Sequence, residues 1–252
     1  MLGESLLERA ALEWFKELGY EVAYGPDISP GGSNPERDSY SQVLLLNRLR
    51  QALLRINPTL PEEAIEKAVH KLIHIAKPTL EETNRTFHYM LRNGVSVRIT
   101  MGKEKIGEIV KLFDFEDLNN NDWLVVNQFK VIEGEYMRIP DIVIFVNGIP
   151  IGLIELKDPG DPRATVRKAY NKVQNYKKEI PSIFYYNEII VLSDDTTTIA
   201  GTVTTPFERF SPWKTIHGKE PPREMTPLEI AIRGMFDKSV VLELVRDFVA
   251  FE

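Results

Sequence analysis

Three charged residues stand in a stretch that is otherwise apolar. In Ile139-Pro140-Asp141-Ile142-Val143-Ile144-Phe145-Val146-Asn147-Gly148-Ile149-Pro150-Ile151-Gly152-Leu153-Ile154-Glu155-Leu156-Lys157 they are Asp141, Glu155 and Lys157. A charged side chain in a buried strand costs on the order of several kcal/mol unless it is paired or bound to a metal. Something must compensate. Two carboxylates converging on one point make a hard, anionic oxygen site suited to Mg²⁺. Such an ion acidifies water and neutralises charge on a phosphate. A lysine two residues from a metal-binding glutamate can orient or deprotonate the attacking water, or stabilise negative charge developing on phosphorus. The same residues would also suit an edge-strand ion pair, Glu155 with Lys157, and an aspartate capping a turn. Residue types alone leave both readings open.

Geometry sharpens the test. Side chains alternate along a strand, so Glu155 and Lys157 share one face while Ile154 and Leu156 share the other. Asn147-Gly148 invites a two-residue hairpin, which pairs Val146 with Ile149 and, if regular, Asp141 with Ile154. That register points Asp141 away from Glu155. A three-residue turn or a β-bulge restores the shared face. The chemistry therefore predicts an odd-length turn or a bulge between these two strands.

The elements that must position these groups are legible in outline. Residues 4–18 carry Leu6, Leu7, Ala10, Ala11, Trp14, Phe15 and Leu18 at helical spacing, with Gly19 as the stop. Gly25–Pro35 reads as loop. Helices are expected over Tyr40–Ile56, Thr59–Ala76 and Glu81–Arg92. Strands are expected at Val95–Met101, Glu108–Phe113, Trp123–Phe129, Asp141–Val146 and Ile151–Lys157. A helix over Pro162–Lys178 precedes strands at Glu188–Leu192 and Thr197–Thr202. A proline-containing tail, Pro206–Pro227, leads into one or two short helices with Val240, Val241, Leu244, Val245 and Phe248 on one face. This order suits an α/β (α+β) fold, a mixed central sheet flanked by helices.

Composition excludes several alternatives. The chain has 252 residues, of which 43% are hydrophobic and 27% charged, enough for a core without cross-links. It has no cysteine, which excludes thiol chemistry, CxxC-type zinc sites and disulfides and fits a reducing cytosol. The start of the chain lacks the apolar segment of a signal peptide, and no apolar run reaches the roughly 18 to 20 residues that span a bilayer. A soluble protein with no membrane partner is expected. The net charge of −6 argues against a protein whose sole task is coating nucleic acid, though it leaves room for a local basic face. From Arg163 to Lys178 there are Arg163, Arg167, Lys168, Lys172, Lys177 and Lys178 and no acidic residue. Such a run is either a solvated helix face or a track for a phosphate backbone. His70 and His74 stand at i, i+4, but Lys71 occupies the place of the glutamate that HExxH chemistry needs. Gly102-Lys103-Glu104 is no phosphate-binding loop, because position 97 is valine and no Ser or Thr follows the lysine.

The chain resembles the N-terminal region of type I restriction endonuclease R subunits. The likeness runs through Val125-Val126-Asn127-Gln128-Phe129, Arg138 to Pro150, and Glu155-Leu156-Lys157. It continues through Gln174-Asn175-Tyr176, Ile180-Pro181-Ser182-Ile183-Phe184, Ser193-Asp194-Asp195 and Gly201-Thr202. The resemblance implies a restriction-endonuclease-like PD-(D/E)xK core over residues 1–205, with an inserted helical block at about 36–93. Residues 206–252 would form an extension leading to an ATP-dependent translocase that is not in this chain. It implies Asp141, Glu155 and the Leu156 carbonyl as metal ligands and Lys157 as the catalytic lysine. In this fold the first helix often lends a carboxylate, for which Glu8 is the candidate and Glu4 and Glu13 are rivals. The family's QxxxY motif falls on Lys172 to Tyr176, with lysine where glutamine is usual. Gln174 lies about 200° further round the helix, whereas Lys172 and Tyr176 share a face. Lys172, Gln174, Tyr176, Arg167 and Lys168 are thus candidates for contacting DNA or supporting the motif. The implied cofactor is Mg²⁺, with ATP used only by the full-length subunit. The implied partners are double-stranded DNA and the methyltransferase and specificity subunits, in a prokaryotic cytoplasm. A free-standing nuclease or resolvase, and an inactive scaffold that docks DNA or subunits, are the alternatives.

Overall fold

A computed structural model describes residues 2–102, 104–158, 163, 165–194 and 196–249, without the side chains of residues 2–4 and 101. The chain opens with α1 (Leu2–Glu17) and β1 (Glu21–Tyr24), then three helices, α2 (Leu46–Ile56), α3 (Glu62–Ile73) and α4 (Leu80–Asn93). Strands β2 (Val95–Met101), β3 (Glu104–Val110), β4 (Trp123–Asn127), β5 (Val131–Glu133), β6 (Tyr136–Arg138), β7 (Ile142–Val146) and β8 (Ile149–Leu156) follow. Helices α5 (Val166–Glu179) and α6 (Pro181–Phe184) lead to β9 (Ile189–Ser193) and β10 (Thr198–Gly201), and α7 (Pro227–Met235) and α8 (Lys238–Glu243) come last. A π-helical turn, Leu244–Phe248, continues α8.

The central sheet has six strands in the order β1-β4-β7-β8-β9-β10. Pairings β1–β4 and β8–β9 are parallel and the rest antiparallel, so the sheet is mixed, as expected, and compatible with a restriction-endonuclease-like fold. Strands β7 and β8 are buried along their whole length, which explains their near-continuous apolar sequence. Helix α1 lays Leu7, Ala11 and Phe15 into the core. It ends in a Schellman motif: Tyr20 N–H donates to Phe15 O and Gly19 N–H to Lys16 O, with Gly19 at φ +80°. The Tyr20 and Phe15 rings then meet edge to face at 5.2 Å. Phe15 also meets Phe236 at 5.4 Å, and Phe236 reaches Gly152, so α1 and α7 cover the sheet face of Ile144 and Gly152. Helix α5, through Ala169, Val173 and Tyr176, is buried against the sheet at β8 and β9.

Several expectations need correction. The helix expected from Tyr40 starts only at Leu46, because Val43–Leu45 are buried in irregular backbone and Leu45 N–H bonds the Gly148 carbonyl at the β7–β8 turn. The strand expected at Glu108–Phe113 is Glu104–Val110, paired with β2 and packed under α3. Strand β1 was not expected; its four residues carry no alternation and are recruited by parallel pairing to β4. Phe248 does not join the buried face of the last helix but is exposed. The expected helix start at Pro162 lies outside the described residues, as do Lys103, Asp195 and Phe251-Glu252; α5 begins at Val166. No helix among the described residues is long and apolar enough to cross a membrane.

Candidate active site

The hairpin between β7 and β8 decides whether Asp141 and Glu155 can meet. Its turn has two residues, Asn147 and Gly148, both left-handed at φ +54° and +73°, and Val146 pairs with Ile149. Beyond it the ladder shifts: Phe145 pairs with Pro150, but Ile144 pairs with Gly152. Ile151 is therefore the extra residue of a β-bulge. The shifted register runs on through Val143–Leu153 and Ile142–Ile154, which puts Asp141 opposite Glu155 on one face. The bulge required by the chemistry is present.

Asp141 lies just before β7. Leu156 N–H faces the β7 side, where no ladder carbonyl remains, and donates instead to Asp141 Oδ2 at 2.7 Å. Lys157 lies just after β8; its backbone N–H donates to Ser193 O at 2.8 Å, locking it to β9. Its Nζ donates to Glu155 Oε1 and to the Leu156 carbonyl, each at 2.7 Å. A second ammonium arrives from α5. Lys172 Nζ contacts Glu155 Oε1 and stands 3.7 Å from Asp141 Oδ1. One ammonium thus touches both carboxylates, so the two acids and Lys157 form one cluster.

Electrostatics follow from this crowding. Burial, then the negative charge of Asp141, push the Glu155 carboxyl up to about 7, against the pull of Lys172 and Lys157. Burial opposes the Lys172 ammonium, but Glu155 and Asp141 hold it well above the ordinary lysine range. Burial, then Glu155, raise the Tyr176 hydroxyl above its usual value, so it stays a proton donor. It donates to the Ile139 carbonyl at 3.2 Å. Arg138 adds a two-pronged pair with Glu179, at 2.6 and 2.8 Å. Both contacts clamp α5 to the segment that carries Asp141.

The other expected residues are placed as follows. Glu8 accepts from Asn127 Nδ2 at 2.6 Å and Gln128 Nε2 at 2.7 Å. Asn127 stands opposite Ile142, on the face away from Asp141, so Glu8 is not brought to the carboxylate pair. Glu13 is exposed and paired with Lys16, and the Glu4 side chain lies outside the described residues. Gln174 is not among the cluster contacts, and its buried Nε2 has no hydrogen-bond partner among the described residues. Arg167 sits over the Phe207 ring and 3.6 Å from Glu208, while Lys168 is exposed. His70 and His74 are exposed and stacked at 4.2 Å. Sequence reasoning missed Gln128, whose left-handed backbone at φ +57° lets its N–H hold the Asp141 carbonyl at 3.0 Å. The only signal was its place in the Asn127-Gln128-Phe129 phrase.

The donor set fits a hard divalent cation. Glu155 Oε2 is buried with no hydrogen-bond partner among the described residues, and carboxylate and carbonyl oxygens are what such ions take. Among the described residues no group of three His, Cys, Asp or Glu side chains gathers, and the Leu156 carbonyl lies beside the pair, bonded by the same Lys157 Nζ that contacts Glu155.

Residues 1–209 match the family described as the N terminus of the type I restriction enzyme R protein. The chain belongs to this family. It is 34% identical over its whole length to the HindI type I restriction enzyme endonuclease subunit of Haemophilus influenzae, covering 24% of that protein. It is also 34% identical, over 97% of its length, to a provisionally named MjaIXP type I restriction endonuclease subunit of Methanocaldococcus jannaschii, covering 25% of it. This R-protein N-terminal region therefore spans about a quarter of the length of those relatives.

Proposed function

We propose that this region is the Mg²⁺-dependent endonuclease domain of a type I restriction R subunit, built on a PD-(D/E)xK core and hydrolysing DNA phosphodiesters without reading sequence. The observation that carries the reading is the bulge at Ile151, which sets Asp141 against Glu155, with Lys157 bonded to a Glu155 oxygen. Asp141, Glu155 and the Leu156 carbonyl would hold the ion. When bound, magnesium supplies positive charge against the phosphate and makes water a better nucleophile. Lys157 uses two of its three N–H bonds on Glu155 and Leu156. The third can orient water or donate to a phosphate oxygen as charge builds on it. Buried Glu155 is held apart from bulk water, while Lys157 and Lys172 keep access to solvent and hence to a substrate. Arg167 and Lys168, one turn or so before Lys172 on α5, would extend a positive path along the DNA backbone. ATP-driven translocation, and the methyltransferase and specificity subunits that choose the site, would come from other parts of the complete enzyme.

In the assembled enzyme, Asp141→Asn and Lys157→Ala are each expected to abolish plasmid cutting while DNA binding by gel shift is retained. Cutting at the parental rate by both variants would leave the site without a catalytic role.

A further inference from the structure

We propose that Lys172 is a tethered counter-ion that occupies the carboxylate pair until a divalent cation displaces it. The inference rests on the metal-site reading above. In this cluster two carboxylates, Asp141 and Glu155, are matched by two ammoniums, Lys157 and Lys172. The charges balance. A divalent ion brought to the same oxygens over-compensates them, and like charges at contact distance in a buried setting repel strongly. One ammonium must then give way.

The geometry selects which. Lys157 is fixed at both ends of its side chain: its backbone is bonded to Ser193, and its Nζ also to the Leu156 carbonyl. Its side chain is 15% exposed. Lys172 is 36% exposed, and both of its close acidic contacts are to the two carboxylates themselves. Its helix cannot retreat, because Tyr176 and Glu179 tie α5 to Ile139 and Arg138. The ammonium also lies over the Tyr176 ring at 5.6 Å; released from the carboxylates, the exposed four-carbon stem would swing outward and carry it to the mouth of the site. There it can meet a phosphate oxygen of incoming DNA. Lys172 thus exchanges one anion for another as the site loads.

The test is calorimetric titration with MgCl₂ alone, without DNA, at about pH 9, well above the usual carboxylate range. Wild type, Lys172→Gln, Lys172→Arg and Glu155→Gln are compared. Lys172→Gln is expected to bind Mg²⁺ on the order of tenfold more tightly than wild type, because the competing charge is gone. Lys172→Arg keeps the charge and should stay near wild type, and Glu155→Gln should lose binding. Equal or weaker affinity in Lys172→Gln, with wild-type binding still abolished by Glu155→Gln, overturns the counter-ion role and leaves the metal site standing. Absence of Mg²⁺ binding in wild type and Lys172→Gln alike overturns both.

Discussion

Replacing Glu155 with glutamine removes one ionisable proton and almost no volume, so it isolates the energetic consequence of burying that carboxyl. Its folded value of about 7 lies above the ordinary 4.5, because burial and Asp141 both disfavour the anion. A raised carboxyl contributes stability that is fully present below 4.5, where it is neutral in both states, and that is lost as pH rises through 7. At about 1.4 kcal/mol per pH unit, the gap converts to roughly 3 kcal/mol of stability lost between those limits. Glutamine mimics the neutral acid and is not subject to this loss. In a chelator, urea unfolding should therefore find Glu155→Gln close to wild type near pH 4.5 and about 3 kcal/mol more stable at pH 8. Millimolar Mg²⁺ should recover much of the difference for wild type and none for the variant. A wild type whose stability changes with pH no more steeply than that of the variant would refute the claim that burial and Asp141 disfavour the Glu155 anion in the folded protein.

Two further perturbations probe the scaffold. Deleting Ile151 should regularise the β7–β8 ladder yet keep Ile144 on Gly152 and Asp141 opposite Glu155, so Mg²⁺-induced stabilisation in a thermal melt should survive; its loss with near-native circular dichroism kept would show that register alone does not set the site. Asn147 is fully buried at φ +54°, accepts from Asp122 N–H at 2.7 Å and donates to Leu112 O and Asn121 Oδ1 at 2.9 Å each. Asn147→Ala should lower unfolding free energy by about 3 to 5 kcal/mol, from unpaired buried groups and a strained backbone, and a loss under 1 kcal/mol (roughly that of an ordinary surface change) would contradict that accounting.

Much of the site's logic was local and so was written in the chain. Asp141, Glu155 and Lys157 are conspicuous because charge among β-branched neighbours is costly, and strand alternation alone puts Glu155 and Lys157 on one face. Helix ends were equally local: Gly19 stops α1, and Thr79 with Glu82 forms a capping box at the start of α4. The likeness of the 139–157 phrase to its family fixed the broad identity.

Tertiary structure decided what depends on partners distant in sequence. Whether Asp141 joins Glu155 turns on one bulged residue, and a bulge at Ile151 leaves no mark in composition, although the chemistry required one somewhere. Lys172 enters the cluster because α5 crosses over the sheet, and i, i+4 spacing to Tyr176 says only which face of the helix it shares. Glu8 stays apart because α1 is packed with α7 on the face of Ile144, where Asn127 and Gln128 satisfy its oxygens. Strand β1 exists only because β4 offers it a parallel edge. Local patterns specify which groups are too costly to leave uncompensated; the long-range pairing of strands and helices specifies which of them compensate one another.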